Sequence, residues 1–78
     1  MSYTADNVAE LDLLMLFDLA VAQEGIKIHK TAEPAAIAAA ERLFTKGFIT
    51  QVDGGYLTSI GQEAAEHTQS LYMLLNAG

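Results

Sequence analysis

Between Gly47 and Thr58 the chain carries four local signals that agree on one arrangement. Gly47 follows a run of helix formers and suits the left-handed position just past a helix end. Phe48 and Ile49 then drop the chain into an apolar interior. Asp53-Gly54-Gly55 turns it back, because a primed hairpin turn needs positive φ at its central residues. Thr58 stands where the next helix needs an N-cap. The stretch therefore reads as a helix end, a strand over Phe48–Val52, a tight turn, a strand over Tyr56–Leu57 and a helix start. Agreement among independent local signals is what specifies a fold.

The rest of the chain is read outward from this segment. A last helix is expected from Ser59 to about Leu75, with Ile60, Ala64, Thr68, Leu71, Leu74 and Leu75 along its apolar face. A first helix is expected from Thr4 as N-cap to Glu24, with Gly25 as its stop. Between Leu13 and Ala22 only Asp18 is polar. A helix apolar on most faces is buried on more than one side. Ile26-Lys27-Ile28-His29 alternates like a short strand with both isoleucines inward. A middle helix starts between Thr31 and Pro34, since proline is tolerated in a first turn, and ends at Lys46. Its predicted core stripe is Ala36, Ile37, Ala40, Leu43 and Phe44. Ala35, Ala38, Ala39, Arg42 and Lys46 form the opposite face. The fold class is α+β, in the order helix, short strand, helix, β-hairpin, helix.

A chain of 78 residues is a single domain, here spanning residues 1–78. So short a chain buries only about 60% of its unfolded surface, so its stability margin is thin. Small domains make up the difference with disulfides, metals or a partner subunit. There is no cysteine, which excludes disulfides and cysteine–zinc sites. A 51% apolar composition leaves packing and self-association. The apolar run Leu13–Phe17 follows Asp6, Glu10 and Asp12 and lacks the basic start of a secretory signal. With Asp18 interrupting it, the run is also too short to span a bilayer. A cytoplasmic location without membrane attachment is expected.

The net charge of −6 is unevenly spread. Residues 1–25 carry Asp6, Glu10, Asp12, Asp18 and Glu24 and no base. Every lysine and arginine, namely Lys27, Lys30, Arg42 and Lys46, falls within residues 26–52. An acidic molecule repels nucleic acid at long range, while a local basic patch still attracts it.

The stretch from Leu43-Phe44-Thr45-Lys46-Gly47-Phe48-Ile49-Thr50 through Asp53-Gly54-Gly55-Tyr56-Leu57-Thr58-Ser59-Ile60-Gly61 resembles the end of winged helix-turn-helix domains. It looks most like bacterial regulators of the multiple-antibiotic-resistance type. The resemblance implies a winged-helix-like fold in which the middle helix is the recognition helix and the hairpin is the wing. It also implies DNA binding. Two features depart from the pattern. Only five residues, Ile26 to Lys30, separate Gly25 from Thr31, which leaves no room for a supporting helix. The wing tip carries Asp53 and no base, whereas a DNA-binding wing presents cations to phosphates or the minor groove. The alanine-rich face offers no bidentate donor except Arg42. The whole chain also looks like a family of short bacterial proteins with no assigned function.

Lys27, His29, Lys30, Arg42 and Lys46 are the candidate patch for DNA or an acidic partner; the alternative is a solvated face. Glu63 and His67 sit one turn apart, but a zinc site needs a third and fourth ligand. No serine has a base beside it in a nucleophile motif, so no catalytic residue, metal or cofactor is assigned and no enzyme is expected. Leu71, Tyr72, Leu74 and Leu75 are the candidate interface of a homodimer joined mainly through the first and last helices. Two functional expectations follow. One is a small regulatory protein that binds DNA weakly. The other is a protein-interaction adaptor, acting as a homodimer without direct DNA readout.

Overall fold

Thr4 starts the first helix with a reciprocal cap. Its hydroxyl accepts from the Asn7 N–H at 3.1 Å, and the Asn7 side chain accepts from the Thr4 N–H at 3.2 Å. Two orphan donors of the helix start are thereby satisfied. A computed structural model of the chain describes residues 1–21 and 24–77. Helix α1 spans Ala5–Leu14, strand β1 Ile26–Lys27, helix α2 Pro34–Thr45, strand β2 Ile49–Gln51, strand β3 Gly54–Leu57 and helix α3 Ser59–Leu75. The protein is α+β, with three helices and one three-stranded antiparallel sheet of order β1-β3-β2. Among the described residues no helix is long and apolar enough to cross a membrane.

The first helix stops ten residues short of Glu24, its expected end. Asp18 accepts from the Ala20 N–H at 3.0 Å, a turn in which an aspartate side chain competes with helical hydrogen bonding. The Gln69 amide of α3 donates to the Leu14 carbonyl at 3.1 Å and the Phe17 carbonyl at 2.8 Å, satisfying acceptors that the helix end leaves open. The break folds Leu13, Leu14 and Phe17 into the core. Leu16 and Val21 remain exposed, and Ala22 lies outside the described residues. Gly25 is therefore not a helix stop; it precedes β1.

Helix α2 begins at Pro34 and ends at the expected place, with Lys46 as C-cap and Gly47 at φ +83°. Its buried face differs from the expected stripe. Ala39, Ala40 and Leu43 are buried, while Phe44 is 44% exposed. Ala39, Arg42 and Lys46 lie at i, i+3 and i+7, a single helix face. Arg42 and Lys46 reach α1, so this face is an internal packing surface rather than a solvent-facing one. Alanine at position 39 allows the close approach.

The hairpin stands, with its turn shifted back. Val52 and Asp53 occupy the turn and Gly54 opens β3. The register runs Ile49↔Leu57 and Gln51↔Gly54, so β3 carries one extra residue, a bulge. Gly54 and Gly55 both have positive φ, at +127° and +76°. At Gly54 a side chain is doubly excluded, because an added Cβ would overlap the Ile26 carbonyl of β1. Ile26 and Ile28 pack inward against the core as expected.

The Thr58 hydroxyl accepts from the Gly61 N–H at 3.1 Å and donates to the Gly47 carbonyl at 2.6 Å. One side chain thus caps α3 and ties it to the end of α2. Gly61 and Ala65 are buried along α3, and Ile60 is 55% exposed instead of lying on the core face. Small residues bring α3 close to the body.

Candidate functional site

The five residues of the expected patch separate into two groups. Arg42 Nε donates to Glu10 Oε2 at 2.5 Å, and Lys46 Nζ donates to Glu10 Oε1 at 2.7 Å. Arg42 also donates to the Asp6 carbonyl at 3.2 Å and lies 3.8 Å from the Asp6 carboxylate. Glu10 is 7% exposed. Burial pushes its carboxyl up, but the hydrogen bonds from Lys46 and Arg42, with their charges, hold it below its ordinary value. The Glu10 carboxylate in turn holds the Arg42 guanidinium above its ordinary value. These two cations therefore join α1 to α2, and Arg42, the bidentate donor of that face, is engaged by Glu10 and Asp6.

Sequence reasoning missed Glu10, although a signal was present. Glu10, Leu13, Leu14 and Phe17 follow i, i+3, i+4, i+7, the spacing of one buried stripe, and all are buried. An acid in the first place of an apolar stripe requires cations from a packed neighbour.

Lys27, His29 and Lys30 do come together. They line the rim of an open groove of about 840 Å³ between β1, the turn after it, α2 and the hairpin tip. Its apolar wall is formed by Ile28, Ile37, Ala40 and Val52. Asp53 lies 3.9 Å from Lys27 across the rim, and Glu41 lines the same groove, so its two lysines share it with two carboxylates. Between β1 and α2 the chain makes only a turn, in which the Ala32 N–H donates to the His29 carbonyl at 3.0 Å. Among the described residues no helix covers the apolar wall there; residues 15–33 between α1 and α2 hold only turns and the two-residue β1 where they are described.

The end of α3 is the second uncovered surface. Leu71 is 41% exposed, Tyr72 53%, Met73 68%, and Leu74 and Leu75 75% each. Glu63 and His67 lie 3.9 Å apart on the same helix. Among the described residues no group of three histidine, aspartate or glutamate side chains gathers around a common point.

A model of a family of unknown function (DUF5669) matches residues 1–76, which takes in every element and both surfaces. The chain belongs to that family. Neither the curated proteins nor the solved structures include a match. Membership in DUF5669 agrees with the likeness of the whole chain to a family without assigned function. The likeness of residues 43–61 to antibiotic-resistance-type regulators has no counterpart in these comparisons.

Proposed function

We propose that this protein acts by protein contact, as a self-associating winged-helix-like adaptor that performs no catalysis and uses no cofactor. The observation that carries the reading is the apolar end of α3. Five consecutive large side chains, Leu71 to Leu75, are all exposed. Contiguous apolar patches on soluble proteins mark contact surfaces. Of the expected first helix, Leu13, Leu14 and Phe17 lie in the core, while Val8 and Leu16 remain exposed. The winged-helix-like label rests on the hairpin following α2, on β1 pairing with the outer side of β3, and on the helix that closes the segment. The supporting helix of a helix-turn-helix is replaced by a turn.

Sedimentation at micromolar concentration tests the reading. The wild-type protein should be a dimer, and Leu74→Asp should be a folded monomer, because Leu74 is 75% exposed and makes no part of the core. A wild-type protein that sediments as a clean monomer overturns it.

Weak DNA binding is the second reading, and the clustering of Lys27, His29 and Lys30 on one exposed rim favours it. It is ranked below protein contact because the remaining cations, Arg42 and Lys46, already serve Glu10.

A further inference from the structure

Helix α3 carries two stripes. One faces the body: Gly61 and Ala65 are buried, and Gln69 donates to the Leu14 and Phe17 carbonyls. The other is Ile60, Ala64, His67, Leu71 and Leu74, which follow one another at alternating steps of four and three. That is the spacing of a seam that packs against a second helix. Ile60, His67, Leu71 and Leu74 are exposed and Ala64 is half-buried, so the seam has no partner within the protomer.

Three features identify the helix that fits it as α3 of a second copy, running the opposite way. The stripe is its own complement when reversed about His67. Ile60 then comes level with the partner's Leu74, small Ala64 with the partner's Leu71, and His67 with its own copy. Any other antiparallel register sets the His67 imidazole against an apolar side chain, and a single polar seam residue fixes register in this way. His67 is also the midpoint of α3, Ser59–Leu75, so two helices reversed about it lie flush from end to end. The third feature is charge. The first turn of α3 holds no acid and its last turn no base, so neither end of its dipole is offset by a side chain. Flush antiparallel packing sets each end beside the opposite end of the partner. It also keeps Glu63 about 12 Å along the axis from the partner's Glu63, where a parallel pair would bring the two acids level. Ala64, His67 and Leu71 line a groove together with Leu11, Leu14 and Phe48, so a helix laid along the stripe lies against that apolar surface as well.

We infer that two copies join through an antiparallel α3–α3 pair centred on His67. The inference rests on the self-association proposed above and gives it a surface, a direction and a register. One patch packed on itself about a two-fold axis closes at two copies.

Disulfide trapping tests the register. The chain has no cysteine, so each introduced thiol reports only its own position. A disulfide needs Cα atoms within about 7 Å of each other. Under mild oxidation His67→Cys should cross-link to itself. Ile60→Cys and Leu74→Cys, mixed and allowed to exchange subunits, should give the mixed cross-link, read by mass spectrometry of the joined peptides. Neither should cross-link alone, because each would lie about 21 Å along the axis from its own copy. All three positions are exposed, so the reduced variants should keep the wild-type circular dichroism and sediment as the wild type does. Val52→Cys, exposed on the hairpin, sets the level of random collision.

If Ile60→Cys and Leu74→Cys each cross-link to themselves, the pair is parallel and the inference is overturned. A dimeric wild type whose His67 or mixed cross-link stays at the Val52→Cys level also overturns it, with the contact on another surface and the proposed function intact. A monomeric wild type removes both the inference and the function it rests on.

Discussion

Glu10 accepts hydrogen bonds from Lys46 and Arg42 while only 7% of it reaches solvent. Its folded carboxyl titrates below its ordinary value of 4.5, despite burial, because both cations favour the charged form. A carboxylate held below its unfolded value contributes stability that is complete above the unfolded pKa and is lost as pH falls through the folded one. Glu10→Gln should therefore destabilise the protein at pH 7 by about 1–3 kcal/mol, as expected for removing a charged partner from a part-buried network. The gap between wild type and variant should narrow as pH falls below the ordinary value of 4.5 and through the lowered folded one, as the wild-type carboxyl becomes protonated. Urea denaturation at both pH values measures it; a gap that widens in acid contradicts the assignment. Gln69 is the second residue with an outsized role, because one amide serves the Leu14 and Phe17 carbonyls. Gln69→Leu should cost about 1–3 kcal/mol by leaving those acceptors unpaired. It should also raise amide hydrogen exchange in residues 15–20 more than elsewhere.

The elements that were readable are those whose ends are written locally. Thr4, Gly47 and Thr58 each cap or stop a helix through neighbours within a few residues, and all three fall where the sequence places them. The end of α1 was not readable, because Gln69 fixes it from across the chain. The buried face of α2 was misassigned for a related reason. Its alanines show no hydrophobic contrast between faces, and Arg42 and Lys46 look solvated until Glu10 is placed opposite them. The same blindness joined five cations into one patch that the fold divides. The hairpin gives the sharpest test at this scale. Gly54→Val forces a β-branched residue to φ +127° and drives its side chain into the Ile26 carbonyl. Backbone strain alone should cost about 1–3 kcal/mol, and the overlap adds to it. Gly47→Asn is the contrast: its φ of +83° has open space around it, and asparagine visits that region. Its loss should stay under about 1 kcal/mol. Thermal unfolding of both variants separates a strand glycine pressed against β1 from a helix-stop glycine; equal losses would contradict the close approach of β1 at Gly54.

For the whole molecule, the question is what a net charge of −6 allows a handful of cations to do. The sequence offers Lys27, Lys30, Arg42 and Lys46 to any polyanion. The fold withdraws Arg42 and Lys46 by pairing them with Glu10, and breaking that part-buried network to reach a phosphate would forfeit its stabilising contacts. Lys27 and Lys30 remain on the groove rim, with Asp53 beside the first. A protomer thus has two lysines to place on phosphates. Each phosphate contact contributes about −0.9 to the slope of log affinity against log salt, so a protomer should show a slope no steeper than about −1.8. Binding should be weak, because only two lysines face the phosphates and Glu41 and Asp53 line the same groove. Lys27→Glu with Lys30→Glu should abolish whatever binding exists, while Lys46→Gln should leave it unchanged. Fluorescence anisotropy on random and genomic duplexes at several salt concentrations reads all three effects. A slope near −3.6 per protomer would mean that Arg42 and Lys46 leave Glu10 to bind phosphate, about −0.9 for each of four contacts, and would return the protein to the DNA-binding reading.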